Sequence, residues 1–252
     1  MPALRIASLV PSLTELVVAL GLRDQLIART GFCIHPAALL GDVPKVGGTK
    51  DVNLSKLQRL APTHVLVNID ENRRDTVEAI RAWPDAPRIV VTHPQRPDDN
   101  LALVDLMVEQ FGAQPGVRER AAALTQSLRD ELALTQPGLR LPRQVLYLIW
   151  RDPWMTVSRD TYISRTLALV GWETVPASAD DRYPEVDLAA VSGEVERVLL
   201  SSEPYRFREK HLAEVEALAP GARVSLIDGE MTSWYGSRAI EGLRYLGDYA
   251  RG

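Results

Sequence analysis

One segment near the middle of the chain, residues 116–136, constrains the fold more than any other. Apolar or small residues recur at a helical spacing from Val117 to Leu132, and charged residues occupy the opposite face. Proline–glycine pairs, which bound helices, stand at Pro115–Gly116 and Pro137–Gly138. Such a helix would be about 30 Å long, close to the diameter of a small domain. The spacing predicts a helix that joins two lobes, although a packing helix in one larger domain has the same periodicity.

Short apolar runs alternate with amphipathic segments on both sides of this helix. This alternation is typical of parallel sheets covered by helices. We therefore predict an α/β protein of two lobes, residues 1–115 and 137–252, with mostly parallel central sheets and a linking helix at 116–136. The predicted strands are Leu4–Val10, Gln25–Arg29, His64–Asn68, Arg88–His93, Gln144–Trp150, Trp154–Ser158, Arg197–Ser202 and Arg223–Ile227.

Two helix starts and two core positions follow from local patterns. Ser12 with Glu15 three residues later matches a capping box, so we predict Ser12 as an N-cap. Asn53 is predicted to cap the next short helix. We expect the aromatic rings of Tyr147 and Trp172 in the core of the second lobe.

Composition excludes several classes of protein. The net charge of −4 and the lack of a basic stripe argue against nucleic acid as the main partner. No run of 18 apolar residues is present, so we expect no membrane insertion. The single cysteine, Cys33, excludes an internal disulfide framework. The first strand begins almost at Met1 and leaves no room for an export leader, which predicts a cytoplasmic protein, or a periplasmic one if a leader is missing from this sequence.

Unusual residues follow the predicted strands, where open parallel sheets bind ligands. Most aromatic residues lie beyond residue 143, and several fall in loops beside arginines. Aromatic loops suit a flat or bulky organic ligand. For each such ring, packing within a lobe is the alternative. The candidates after strands are Pro11, Ser12, Thr14, Phe32, Cys33, His35, Asp70, Glu71, Asn72, His93, Trp150, Arg151, Trp154, Tyr205, Arg206, Phe207, Glu230, Trp234 and Tyr235.

A metal site is a second possibility. Cys33 and His35 share a side of an extended segment, and His93 follows a neighbouring strand. These three could form a Cys–His–His site, against the simpler reading of a loop cysteine and proline-flanking histidines. We expect His64 at the opposite edge of the sheet and His211 on an exposed helix.

Catalytic motifs are weak. The sequence around Ser237 lacks the nucleophile-elbow pattern, and Gly47–Lys50 matches neither a P-loop nor a dinucleotide fingerprint. Cys33 and His35 could form a nucleophile pair, but no orienting third group is evident. We therefore predict that the chain is not an enzyme, with a metal- or thiol-dependent hydrolase as the alternative.

Several motifs together resemble a known family. They run in family order through nearly the whole chain: RIASLVPSLTELVVALGL (5–22), CIHP (33–36), VGGTKDVNL (46–54), ENRRDTVEAI (71–80), YLIWRDPWMTVSRDTYISRTLALVGW (147–172), RYPEV (182–186), VLLSSEPYRFREKH (198–211) and DGEMTSWYGSR (228–238). The chain resembles the helical-backbone metal receptors, which are substrate-binding proteins of ABC importers, and within them the cobalamin-binding branch. The resemblance implies a ligand cleft between two α/β lobes.

The same resemblance implies site residues and partners. Ligand contacts would come from Pro11, Ser12, Cys33, His35, Gly48, Thr49, Lys50, Trp150, Arg151, Trp154, Tyr205, Trp234 and Tyr235. Carboxylates that dock on permease arginines would be Glu71 or Asp75 in one lobe, and Glu203 or Glu209 in the other.

The predicted function is that of a monomeric, non-catalytic protein that holds a corrinoid (cobalamin-like) ligand or another bulky metal chelate for an ABC permease. It would have no built-in cofactor. The open alternatives are a receptor for free transition-metal ions through His35, His93 and Cys33, and a cytosolic ligand carrier or sensor.

Overall fold

The computed structural model describes residues 3–135, 142–177, 180–191 and 193–251. Its chain divides into two compact units. The first comprises Met1–Pro94, Asn100–Ser127 and Tyr235–Arg238. The second comprises Gln95–Asp99, Leu128–Trp234 and Ala239–Gly252. Within the described residues, no helix is both long and apolar enough to cross a membrane.

The first unit is built on a four-stranded parallel sheet of order β2-β1-β3-β4. The central strands β1 and β3 are almost fully buried, as expected of short apolar runs between helical layers. The strands are β1 (Ile6–Ser8), β2 (Leu26–Arg29), β3 (His64–Asn68) and β4 (Arg88–Thr92). The helices are α1 (Pro11–Ala19), α2 (Ala37–Leu40), α3 (Leu54–Arg59), α4 (Arg74–Arg81) and α5 (Asp99–Phe111), with a 3-10 turn at Arg23–Gln25, and helix α6 (Val117–Leu134) begins in this unit.

The second unit repeats this plan with strand order β6-β5-β7-β8, again parallel. Its strands are β5 (Arg143–Leu148), β6 (Trp172–Thr174), β7 (Arg197–Ser201) and β8 (Arg223–Ile227). Its helices are α7 (Tyr162–Ala168), α8 (Leu188–Val191), α9 (Leu212–Leu218), α10 (Gly229–Ser233) and α11 (Arg238–Tyr249), with a 3-10 turn at Glu209–His211. The predicted class, α/β with parallel sheets in two lobes and one long helix, is confirmed.

The long helix α6 spans Val117–Leu134. Gly116 has a φ of +75° and precedes it, a backbone conformation that favours glycine. Residues of α6 up to Ser127 belong to the first unit, and those from Leu128 belong to the second. Gln136 and the Pro137–Gly138 stop lie outside the described residues. The predicted domain boundaries at 115 and 137 stay a prediction.

Several local predictions have clear outcomes. Tyr147 and Trp172 lie in the core, with 0% and 2% exposure. Asn53 caps α3, since its Oδ1 accepts a hydrogen bond from the Lys56 amide at 2.9 Å. The prediction of Ser12 as an N-cap was wrong. Helix α1 begins at Pro11, and Val10 is the N-cap without a side-chain hydrogen bond. Proline suits the first helical position because it has no N–H that would need a partner there.

The predicted strand at Trp154–Ser158 was also wrong. Within this segment, Met155 makes isolated bridges to Trp150 and Glu185. The segment runs beside residues 182–186, where Pro184 has no N–H with which to continue a regular ladder. The edge strand β6 and the short helix α10 were not predicted.

Candidate ligand-binding faces

Large apolar side chains are exposed after two strands of the first unit. Phe32 and Ile34 follow β2 and are 63% and 49% exposed, and Ile69 follows β3 and is 58% exposed. A Cβ at Gly48 would lie 3.3 Å from Phe32 Cε2, so the loop passes close under this ring. These three side chains offer apolar surface at the carboxyl edge of the sheet, where α/β proteins bind ligands. The sequence had indicated Phe32 but not Ile34 or Ile69.

A buried asparagine fixes the loops at this edge. Asn72 Nδ2 donates to the carbonyl of Leu9 at 3.2 Å and to that of Thr49 at 3.0 Å, while its Oδ1 accepts from the Asn68 amide at 2.9 Å. The loop at Gly48–Lys50 is partly exposed. A second hydrogen bond holds it, from Lys50 Nζ to the Asp70 carbonyl at 2.6 Å. Asn72 therefore joins the end of β1, this loop and the end of β3. Its position after a strand was the only sequence signal for this role.

The three residues of the predicted metal site are not brought together. Cys33 is fully buried, with Sγ 3.1 Å from Thr30 Oγ1, whereas His35 is half-buried. His93 Nε2 lies 3.2 Å from Asp70 Oδ2. Across the described ranges, no group of three or more Cys, His, Asp or Glu side chains could hold a metal ion. The reason is that Cys33 points into the core rather than to the strand-end edge.

We expect Cys33 to be unreactive in the folded protein. Burial raises the pKa of its thiol, which lowers the fraction of the nucleophilic thiolate. Alkylation by iodoacetamide at pH 8 should therefore be at least about tenfold slower in native protein than in urea-unfolded protein. Cys33→Ser should leave ligand binding unchanged. Fast labelling of the native thiol would contradict this and revive the thiol-hydrolase alternative.

Tyr235 and the start of α1 lie in the first unit with their polar groups largely enclosed. Tyr235 is 6% exposed, and its hydroxyl donates to Glu71 Oε1 at 2.8 Å. Burial raises its pKa well above the ordinary value. Ser12, next to the half-buried Pro11, is 3% exposed. Arg238 Nε lies 3.0 Å from Glu15 Oε2 in the same unit.

The second unit carries an aromatic cluster after β5 and β7. Trp150 and Tyr205 meet edge to face with ring centroids 5.7 Å apart, and Trp154 stacks on Phe207 at 6.1 Å. Tyr205 and Phe207 are 4.7 Å apart and link the two pairs. We call Trp150, Trp154, Tyr205, Phe207 and His211 the aromatic cluster.

Backbone hydrogen bonds explain why this cluster forms. The Tyr205 amide donates to the Ile149 carbonyl at 3.2 Å, and the Ile149 amide donates to the Met155 carbonyl at 2.9 Å. Because β5 and β7 are neighbours in the sheet, these bonds hold their following loops side by side. Trp150 remains 41% exposed, so one large ring is presented to solvent.

Arg151 is anchored beside this cluster. Its Nε and a terminal nitrogen donate to the two carboxylate oxygens of Glu214 at 3.1 and 2.8 Å, a two-pronged pair. Its guanidinium lies 5.8 Å from the Trp154 ring centroid. The pair lowers the pKa of the Glu214 carboxyl. Arg151 therefore holds the Trp154 ring in place. Its Nε and one terminal nitrogen already donate to Glu214, which leaves fewer N–H groups for a ligand.

Two of the predicted docking carboxylates are engaged within their own units. Glu203 Oε1 accepts from Ser233 Oγ and from Trp234 Nε1, both at 2.7 Å, and Trp234 is 9% exposed. Glu71 accepts from Tyr235, as described above. Asp75 lies in the first turn of α4, and Glu209 lies in the 3-10 turn at Glu209–His211. Both side chains are exposed. Asp75 and Glu209 are therefore more exposed than Glu71 and Glu203.

Glu203 should make stability fall as pH rises. Burial raises the pKa of its carboxyl in the folded protein, so unfolding releases a proton once the pH exceeds the ordinary value for glutamate. Glu203→Gln keeps an acceptor for Trp234 and cannot ionise. We expect this variant to melt above the wild type at pH 7, with the two melting temperatures converging as the pH falls toward the ordinary glutamate pKa. Glu209→Gln is the exposed control, and a lower melting temperature for Glu203→Gln at pH 7 would contradict the prediction.

Comparison with known proteins identifies similar sequences. No protein-family model matches the chain. It is 26% identical over 215 residues to the vitamin B12-binding protein of Vibrio cholerae, covering 80% of this chain and 71% of that protein. It is 25% identical to the uncharacterized ABC transporter substrate-binding lipoprotein YvrC of Bacillus subtilis, covering 97% of this chain and 79% of that protein.

Solved structures share the fold. The periplasmic vitamin B12-binding protein BtuF of Vibrio cholerae aligns with a TM-score of 0.83 at 19% identity, over 99% of this chain and 97% of that one. The periplasmic heme-binding protein HutB of the same species aligns with a TM-score of 0.79 at 20% identity, over 99% of both chains. The resemblance to the helical-backbone metal receptors is confirmed by these similarities in sequence and fold.

The predicted cytoplasmic location was wrong. The similar proteins are described as periplasmic or as a lipoprotein, which places them outside the cytoplasm. The prediction rested on the start of the given sequence, where neither an export leader nor a lipid-anchor cysteine was recognised. A leader is removed from the mature protein, so it carries no information about the folded domain.

Proposed function

We propose that this chain is the non-catalytic substrate-binding protein of an ABC importer and that it binds a corrinoid or another bulky metal chelate. The observation that carries the proposal is the aromatic cluster, with Trp150 exposed after β5. Sequence similarity to vitamin B12-binding proteins supports the corrinoid class in particular.

The cluster suits a large, partly apolar ligand for a physical reason. Aromatic rings held by neighbours present wide apolar area and lose little conformational entropy on binding. Trp150 contacts Tyr205, Tyr205 contacts Phe207, and Phe207 is buried, so the exposed ring rests on a rigid base. The exposed Phe32, Ile34 and Ile69 supply apolar surface in the first unit.

A bare metal ion fits less well. A transition-metal receptor needs several nitrogen, sulfur or carboxylate ligands around one point. The described ranges hold no such group, and Cys33 is buried away from His35. A chelate carries its own ligands to the metal, so the protein has only to bind its periphery.

A ligand screen tests the proposal. Cobalamin, cobinamide, hemin and a ferric siderophore are added separately to purified protein, with zinc and manganese ions as further arms. We expect a change in the absorption spectrum and a rise in melting temperature with at least one chelate, and neither effect with the metal ions. Absence of any response to all four chelates would refute the proposal, and a response to hemin alone would move the ligand from corrinoid to porphyrin.

We further propose that Asp75 and Glu209 contact the permease. Both carboxylates are exposed, and exposed charges at the rim of an interface mainly steer association. We expect Asp75→Lys with Glu209→Lys to lower ligand-dependent ATPase activity of the reconstituted importer roughly tenfold, and to leave ligand affinity unchanged. Full ATPase activity in the double variant would contradict this assignment.

A further inference from the structure

His211 is the innermost member of the aromatic cluster, behind Tyr205 and Phe207, and is 5% exposed. The sequence had predicted it on an exposed helix, and that expectation was wrong. The 3-10 turn at Glu209–His211 directs its ring inward, where the centroid lies 5.6 Å from Tyr205 and 5.5 Å from Phe207. Both contacts are edge to face, so the imidazole fills the space behind the two rings.

The hydrogen bonds of His211 fix where its proton sits. The Arg208 amide donates to Nδ1 at 2.9 Å, and Nδ1 is also 3.2 Å from the Arg208 carbonyl oxygen. A backbone amide can only donate, so Nδ1 is an acceptor and the neutral ring carries its proton on Nε2. Nε2 faces the Tyr205 hydroxyl at 3.3 Å. The imidazole N–H therefore donates to the Tyr205 hydroxyl oxygen.

The hydrogen bond between His211 and Tyr205 is one contact away from the exposed ring of Trp150. Tyr205 packs edge to face on Trp150, the exposed ring of the aromatic cluster. If the hydroxyl of Tyr205 loses its partner, its ring can tilt, and the surface offered by Trp150 changes with it. A ring that is free to tilt must be ordered when the ligand binds, and this entropy cost weakens binding even though His211 never touches the ligand.

We propose that His211 is a positioning residue for the exposed Trp150 ring. It acts through the hydrogen bond from its Nε2 to the Tyr205 hydroxyl, because Tyr205 packs against Trp150. The proposal rests on the function proposed above. It assigns to this buried histidine a part in ligand affinity that is separate from its part in local folding. Nδ1 stabilises the fold, because it accepts the hydrogen bond of the Arg208 amide at the start of the 3-10 turn. Nε2 positions the Tyr205 ring, because it donates to the Tyr205 hydroxyl.

Two substitutions separate these roles. The amide nitrogen of a glutamine can take the place of Nε2, and the amide oxygen of an asparagine can take the place of Nδ1. We expect His211→Gln to keep affinity for the chelate found in the screen within about threefold but to melt at a lower temperature. We expect His211→Asn to melt closer to the wild type but to lose affinity about tenfold.

The opposite order of affinities would overturn the proposal, as would equal losses in the two variants or wild-type affinity in both. Tyr205→Phe provides a second line, because it keeps the ring and removes the acceptor. We expect Tyr205→Phe to lose affinity about as much as His211→Asn does. The double variant Tyr205→Phe with His211→Asn should lose no more affinity than either single variant. Additive losses would show that the two groups act independently and would refute the bond. Lys210→Gln is the exposed control.

A ligand-free measurement keeps this test apart from the proposed function. The near-ultraviolet circular dichroism of the coupled Trp150 and Tyr205 rings should be altered in His211→Asn and preserved in His211→Gln, both of which keep the two chromophores. If no chelate binds the wild type, the proposed function fails, and this spectrum alone decides the positioning role. An unchanged spectrum in His211→Asn, or equal changes in the two His211 variants, would refute it.

Discussion

Trp150→Ala is expected to weaken binding of the chelate roughly 10- to 70-fold while leaving the fold intact. Trp150 is 41% exposed, so loss of its indole costs the folded state little. On binding, a ring of this size covers ~100 Å² of apolar surface, worth about 2.5 kcal/mol at about 25 cal/mol per Å². The lower limit allows for a ligand that moves against Tyr205, whose contact with Trp150 is removed in this variant.

Affinity is measured by isothermal titration, and stability by thermal unfolding of the same preparations. Leu218→Ala is a matched control, since Leu218 is 37% exposed in the same unit and lies outside the aromatic cluster. We expect the control to bind as the wild type does. Wild-type affinity in Trp150→Ala would remove the main support for the aromatic cluster as the ligand face.

The strands could be predicted wherever a short apolar run stands between turn signals, whether its burial is nearly complete, as in β3, or partial, as in β8. The runs at His64–Asn68 and Arg223–Ile227 match β3 and β8 residue for residue, because a short apolar run between turns has few alternatives. Edge strand β6 has only three residues and gives no such pattern. The segment after Trp154 had the composition of a strand, but a proline in the neighbouring segment interrupts regular pairing.

Strand order also explains which part of the site could be predicted. Trp150, Trp154 and Tyr205 follow β5 and β7, and parallel neighbours bring their following loops to one edge. The direction of a loop side chain has no period, so sequence alone could not show that Cys33 turns into the core. For the same reason it could not show that His211 turns inward or that Trp234 donates to Glu203.

The short helix α10, which escaped prediction, positions the hydrogen-bond donors of Glu203. It ends at Ser233, and Ser233 and Trp234 are the two donors to Glu203. Helix α11 packs on it through Gly242, where a Cβ would overlap the carbonyl oxygen of Met231 and lie 3.2 Å from its carbonyl carbon. Backbone atoms cannot rotate away as a side chain can, so only glycine permits this approach.

Gly242→Ala is therefore expected to destabilise the protein by about 2–3 kcal/mol, as overpacking against rigid atoms does, and to lower the melting temperature by roughly 5–10 °C. Gly247 lies in the same helix, and a Cβ there would meet only the Arg251 guanidinium at 3.7 Å. Gly247→Ala should accordingly stabilise by about 0.5–1 kcal/mol through helix propensity alone. Thermal and urea unfolding of both variants measures the difference. Equal stability of the two variants would contradict the close contact of α11 with α10, because propensity acts alike at both positions and only the Met231 carbonyl distinguishes them.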